Sequence, residues 1–373
     1  MQASKKHKFI FVGDVVCQKK PHFSEELQNL LRSAEIKSCN FEAPIAGFGK
    51  PIDKTGPLVS QNPEAPQWIQ ELGFNCFSLA NNHINDYGKE ALLKTMDQFP
   101  KDEILGVGNE KEAYSLNTKT IDGVRYGFLA YGENGYGALN GDREFGHAWV
   151  NAKRVNNDIQ EFKKQVDILI VQIHAGVELL DVPIPEWKER YHELIDLGAD
   201  VIIAHHPHVV QGIEEYKGKF IAYSLGNFYF DYPSNHPQWN TGGLLELIFE
   251  EKKLSAFKFR LVEKNGQSVE LKDETVSNDF IKPLSERLKG KDYEEYVNIK
   301  AVEDWENHHA SYYAKPFNGL ADYSLGKLLK HVKRSIFNRE VNHNLIWHNL
   351  FIESNKWLVE RVIRIKTFGK NRS

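Results

Sequence analysis

Cysteine is scarce in this chain: there are three in 373 residues, and Cys17, Cys39 and Cys76 form no C-x-x-C pair. An odd, scattered count argues against a disulfide framework and for a reducing compartment. No apolar run is long enough to span a bilayer. The opening stretch MQASKKHKFIFVGD passes from a few basic residues straight into a strand, without the apolar core of a signal peptide. The expectation is a cytoplasmic protein that meets a membrane, if at all, from its surface. Strong charge of one sign is also missing, and a formal net charge of −4 gives no reason to expect a nucleic-acid partner. Internal repeats and low-complexity segments are absent. An ordinary apolar and charged composition over this length allows one large core with an appendage, or two domains.

What is present is histidine in an unusual arrangement. Residues 198–211 read GADVIIAHHPHVVQ, so a short apolar run empties at once into His205, His206 and His208. Three imidazoles in four residues are hard to justify as packing, because each buried ring needs partners for two nitrogens. Neutral imidazole is also the commonest metal-ligating side chain.

Over roughly the first 230 residues apolar runs alternate with helical patterns, which predicts βαβ units and a largely parallel sheet. Strands are expected near 8–12, 36–40, 74–79, 124–130, 166–173 and 201–203. Helices are expected near 24–32, after Asn62-Pro63, from a cap at Asp86 to about 99, and near 186–197. Beyond this, 220–225, 244–249, 256–262 and 269–271 read as antiparallel strands completing a second sheet, with turns at Lys217-Gly218 and Asn265-Gly266. From about 278 onward the pattern is helical and irregular.

Ligands of open α/β sheets bind beyond the carboxyl ends of the strands. Five expected strand ends deliver Gly13-Asp14, Asn40-Phe41-Glu42, Ala80-Asn81-Asn82-His83, His174 and the three histidines. Each has an ordinary explanation taken singly: a turn, a solvated charge, a hydrogen-bonded core histidine. Those explanations would have to hold independently at five strand ends, and a metal site accounts for all of them together. Carboxylates mixed with imidazole, without thiolate, suit one or two divalent ions of Mn, Fe or Zn. A carboxylate such as Glu42 can bridge two ions about 3.5–4 Å apart, a pair that activates water and clamps the oxygens of a phosphoryl transfer. His83, directly after the candidate ligand Asn82, suits protonation of a leaving group.

At these residues the chain resembles the CapA-type capsule and poly-γ-glutamate synthesis family, a branch of the calcineurin-like metallophosphoesterase superfamily. The matching stretches are FVGD (11–14), NFEAP (40–44), SLANNHINDYG (78–88), HAGVE (174–178), GADVIIAHHPHVVQGIE (198–214) and YSLGNFYFD (223–231), in the family's order. The resemblance, which covers about 9–231, implies an α/β fold, a metallophosphoesterase-like two-sheet sandwich with helices outside; with the later strands this domain is expected over 1–277, followed by a helical, basic extension over 278–373. It implies Asp14 as a ligand of the first ion, Glu42 as the bridging carboxylate, Asn82, His174 and His206 as ligands of the second ion, and His208 returning to the first. His83 matches the proton donor. His205 matches a position that orients a ligand ring, and Glu178 and Asn227 are candidates to line the site. The chain departs from the wider superfamily at Val16, where an Asp-x-His motif would place histidine. It departs from the family's usual pattern at Ala175 in place of tryptophan, at Ala204 in place of glycine, and in having no N-terminal anchor.

The expected activity is metal-dependent hydrolysis of a phosphoester-like bond in a small-molecule or polymer substrate, within bacterial capsule or other surface-polymer biosynthesis. Hydrolysis or transfer at a γ-glutamyl amide, and a non-catalytic assembly factor, stand beside it. Residues 324–373 hold eleven Lys and Arg against three acids, with Leu325, Leu328, Leu329 and Val332, then Trp357, Leu358, Arg361 and Ile365, at helical spacing. This reads either as a packed helical pair with solvated basic faces or as a surface docking on anionic lipid, an acidic polymer or a polymer-synthesis partner. His308, His309, His331, His343 and His348 follow no strand end and read as surface or core residues.

Overall fold

A computed structural model describes residues 5–141, 143–315, 324–337 and 342–369. The chain divides into two compact units, one of residues 1–52 and 58–290, the other of 53–57 and 291–373.

The first unit is built on two sheets. The centre of one is parallel: His7–Val16, Ile36–Phe41 and Cys76–Ser78. The centre of the other is also parallel: Val124–Gly132, Ile168–His174, Val201–His205 and Lys219–Ala222. Side chains alternate across a strand with a period of two, and His7–Val16 uses both faces. Ile10 and Val12 pack with Leu27, Leu31, Trp68, Ile69 and Leu92 from the helices Glu25–Arg32, Ala65–Glu71 and Gly88–Met96. Phe9 and Phe11 face the other way, onto Tyr126, Phe128, Ile168, Ile170, Val201 and Ile203 of the second sheet. The helices Val155–Lys163 and Pro185–Leu197 lie against that second sheet. Every residue of Ile168–His174 is buried, which is why its sequence is almost continuously apolar. The expected two-sheet sandwich with helices outside is the architecture observed.

Register sets the site. Asp14 lies opposite Asn40 and Asn227, and His174 lies opposite both Gly132 and His205. The carboxyl ends of five parallel strands, two in the first sheet and three in the second, therefore line up at the rim.

Three local expectations are corrected. The four late strands do not form one antiparallel sheet. Lys219–Ala222 runs parallel to Val201–His205 in the second sheet, whereas Thr241–Glu250, Lys253–Asn265 and Ser268–Leu271 extend the first. Turn signals define hairpins locally; which open edge a hairpin joins is a long-range outcome. Asp86 does not cap the following helix, which begins at Gly88 after Tyr87, because its carboxylate is held by His83 and the Val59 amide. Asn62 accepts from the Glu64 amide, but the helix proper starts at Ala65.

The first unit continues through the helix Glu274–Arg287, whose Ser277 hydroxyl accepts from the Leu261 amide, so it reaches past the boundary expected at 277. In the second unit Tyr293–Asp304, His343–Phe351 and Glu353–Phe368 bury Val297, Ala301, Leu345, Leu358 and Val362. The helix Leu325–Phe337 differs: Leu325, Leu328, Leu329 and Val332 are all exposed. Among the described residues no helix is long and apolar enough to cross a membrane.

Candidate metal centre

The centre is reached from the first strand by way of a close backbone approach. Gly13 sits against the Leu225–Gly226 turn, where a β-carbon would fall 1.9 Å from the Gly226 carbonyl oxygen. That fit lets the Asp14 amide donate to the same oxygen at 2.8 Å and holds the Asp14 carboxylate at the rim. Glu42 follows the second strand, Asn82 the third, His174 ends its own strand, and His206 and His208 lie in the loop after His205. Ala43, His206 and His208 have φ of 131°, 95° and 57°, in the left-handed region. Such backbone costs of order 1–3 kcal/mol each and persists where surrounding structure dictates it, typically at functional sites.

Two groups of donor atoms result, each within 4.8 Å: Glu42, His174 and His206, and Asp14, Glu42 and His208. Glu42 belongs to both. In the first group His174 Nε2 lies 3.0 Å from Asn82 Oδ1, 3.0 Å from His206 Nδ1 and 3.6 Å from Glu42 Oε1. In the second His208 Nδ1 lies 3.4 Å from Asp14 Oδ2, and its Nε2 lies 3.7 Å from Glu42 Oε1. Glu42 Oε1 is buried without a hydrogen-bond partner. A buried carboxylate oxygen left unpaired is costly, and a cation at the shared position would remove the cost. The donor set therefore fits one or two divalent ions.

The electrostatics carry the same sense. Burial and then the Asp14 charge push the Glu42 carboxyl well above its usual range. Burial also acts to raise Asp14, but hydrogen bonding and charge from His208, with His205 and Asn40 adding to them, hold it below its ordinary value. Burial and the neighbouring rings keep His174 well below the usual imidazole value, and burial leads in lowering His206 to about 4. His208 is the exception: burial opposes its charge, yet Glu42 and Asp14 push it up to about 10. Two carboxylates thus share one cationic ring, a balance that an added cation would shift toward neutral ligand imidazoles.

The remaining expected residues are placed as follows. His83 donates from Nδ1 to Asp86 Oδ2 at 2.6 Å, both side chains buried, and lies within electrostatic reach of His174 and His206. Asn227 Oδ1 accepts from His208 Nδ1 at 2.9 Å, so Nε2 is the nitrogen that would lose its proton when the ring becomes neutral. His205 is fully buried, with Nδ1 3.6 Å from Asp14 Oδ1 and no hydrogen bond at either ring nitrogen. Glu178 is exposed, and its charge reaches Glu42, His206 and His208.

Three participants were given no role in the site by the sequence reading. Asn40 Nδ2 reaches Asp14 Oδ1 at 2.8 Å and His174 Nδ1 at 3.0 Å, tying ligands of the two groups together. Buried Glu133 places Oε1 3.4 Å from His206 Nε2, which favours the proton on that nitrogen and leaves Nδ1 facing His174. Its signal was available, since Glu133 stands directly after the strand Val124–Gly132. Asp86 was read as a helix cap. His208 is also walled by rings, Phe230 at 4.8 Å and Trp239 at 5.0 Å between centroids.

A family model described as bacterial capsule synthesis protein PGA_cap matches residues 4–232. The chain belongs to this family. The match covers the strands and loops that carry every donor of the centre. Similar to it are the capsule biosynthesis protein CapA of Bacillus anthracis, 32% identical over 213 residues that cover 54% of this chain and 52% of that one, and the PGA biosynthesis protein CapA of Bacillus subtilis, 32% identical over 217 residues, 55% and 56%. The chain spans about half the length of the curated relatives it matches. Among solved structures, a putative 5'-nucleotidase from Staphylococcus aureus in complex with alpha-ketoglutarate aligns at TM-score 0.44 and 15% identity, over 75% of this chain and 58% of that chain.

Proposed function

We propose that this PGA_cap-family protein is a metal-dependent hydrolase of phosphoester-like bonds, acting in the synthesis or remodelling of a bacterial surface polymer. The observation that carries the reading is the pair of donor groups sharing Glu42, with the His83–Asp86 couple beside them. Asp14 and His208 would hold one ion, Asn82, His174 and His206 the other, and Glu42 both. When bound, the ions supply Lewis acidity that activates water and neutralises charge developing on phosphoryl oxygens.

The chain's own residues do the rest. Glu133 stands beside His206 Nε2 and Asn227 accepts from His208 Nδ1, so the opposite nitrogen of each ring would face an ion, His208 giving up its second proton as the ion binds. Asp86 holds the Nδ1 proton of His83, so a proton given to a departing oxygen would come from Nε2 of the doubly protonated ring. The ligand rings are buried, so the reacting groups work in a low-dielectric setting where preorganised charge counts for more. Glu178 stands exposed within electrostatic reach of the centre and would disfavour substrates with excess negative charge near it. Surface-polymer biosynthesis is supported by the relatives, which are named for capsule and PGA biosynthesis.

A second reading is favoured by Val16. The first group, with Asn82, has four donors, whereas the second has three, and no histidine stands two residues after Asp14. A protein that keeps one structural ion and acts as an assembly factor would tolerate that loss. Turnover of an aryl phosphate with added Mn²⁺ separates the two. The hydrolase reading expects His83→Ala to lower kcat by about 10²–10⁴ with metal content unchanged. Stoichiometric metal with no turnover of aryl phosphates or γ-glutamyl amides would leave only the assembly factor.

A further inference from the structure

We propose that the helix Leu325–Phe337 is an anionic-lipid docking element. Its sequence, LGKLLKHVKRSIF, holds four Lys and Arg and no acid. Leu325, Leu328, Leu329 and Val332 stand at i, i+3, i+4 and i+7 and so form one face. That face is open to solvent, with exposures of 78%, 43%, 65% and 48%. Lys330 and Lys333 are exposed as well. Among the described residues, the other helices of the second unit bury apolar side chains such as Val297, Leu345, Leu358 and Val362 and expose others such as Ile299, Leu350 and Ile363, whereas the four of this helix share one face with no buried member.

The two faces together select the partner. A soluble acidic polymer would satisfy the lysines and leave the leucines in water. A second copy of the chain would cover the leucines but bring two basic helices side by side. An anionic bilayer satisfies both, with leucines entering the boundary between headgroups and acyl chains and lysines lying at the phosphate level. A helix of 13 residues is too short to span, so it would lie in the surface plane.

The test is co-sedimentation of the full chain with phosphatidylcholine vesicles, with and without about 30 mol % phosphatidylglycerol. Binding is expected only with the anionic lipid, weakened by salt as exposed charges become screened. Each lysine lost is expected to reduce binding about fivefold. Lys330→Glu with Lys333→Glu, and separately Leu328→Ser with Leu329→Ser, should each abolish it, with circular dichroism unchanged because all four side chains are exposed. No binding, equal binding to neutral vesicles, or retention in both double variants would overturn the proposal. So would capture of soluble poly-aspartate that the lysine variant loses and the leucine variant keeps, which would assign the surface to an acidic polymer. Lipid-independent self-association abolished by the leucine variant would assign it to a second copy and would equally overturn it.

Discussion

Glu133 offers the sharpest test of the metal centre, because it is not itself an expected ligand and its carboxylate stands beside one, His206. Its carboxylate is buried, 3.4 Å from His206 Nε2, while His206 Nδ1 converges with His174 Nε2 at 3.0 Å. Replacing Glu133 by leucine removes the acceptor that keeps the proton on Nε2. The ring must then either carry an unpaired buried N–H or move the proton to Nδ1, the nitrogen needed for ligation. A hydrogen bond to a charged group contributes about 1.5–3 kcal/mol, and the long separation places this contact at the lower end. At about 1.4 kcal/mol per decade, Mn²⁺ affinity at one of two sites should fall roughly tenfold, with the other site unaffected. Glu133→Gln keeps an acceptor oxygen and should lose less. Isothermal titration of metal-stripped protein with Mn²⁺ reads both stoichiometry and affinity. Affinities of the leucine variant within about twofold of wild type at both sites would refute the reasoning, since tautomer control of that size must appear in binding.

His206→Ala with His208→Ala removes one donor from each group, and elemental analysis of protein purified without chelator should show bound metal falling clearly; unchanged content would remove the metal assignment. His147 provides a pH test away from the ligands. Burial, opposed by its contact with the Glu133 carbonyl, lowers its ring to about 4 against an ordinary 6.5. The fold keeps it neutral, so the unfolded chain takes up the proton first and stability declines as pH falls from about 6.5 toward 4. Between pH 8 and 5 this amounts to about 2 kcal/mol. Urea denaturation of metal-stripped His147→Gln should therefore lose less stability over that interval than wild type, and parallel losses would contradict the buried neutral ring.

Much of the centre was legible because parallel strands deliver their next residues to one rim, so residue type at a strand end is informative even without coordinates. Asp14, Glu42, Asn82, His174, His206 and His208 all follow that rule, and Glu133 follows it too once the strand before it is treated like the others. Asn40 and Asp86 were not legible in the same way. Asparagine and aspartate near strand and helix ends have common local roles, and only the neighbours brought in from other strands show which role is taken. The exposed leucines of 325–332 are a similar case, since helical spacing identifies a face without saying whether anything covers it.

Taken alone, the order of residues determined the alternation of strands and helices, the candidate metal-donor side chains and the amphipathic pattern near the C-terminus. These are local or periodic properties, written within a few residues of one another. Tertiary structure decided which sheet each late strand joined, that Glu42 serves two donor groups, and that Glu133, Asn40 and Asp86 set the protonation and placement of the rings they touch. Those outcomes depend on contacts between residues up to about two hundred positions apart, as with Asp14 and His206. Contacts at that separation leave no periodic trace in the chain.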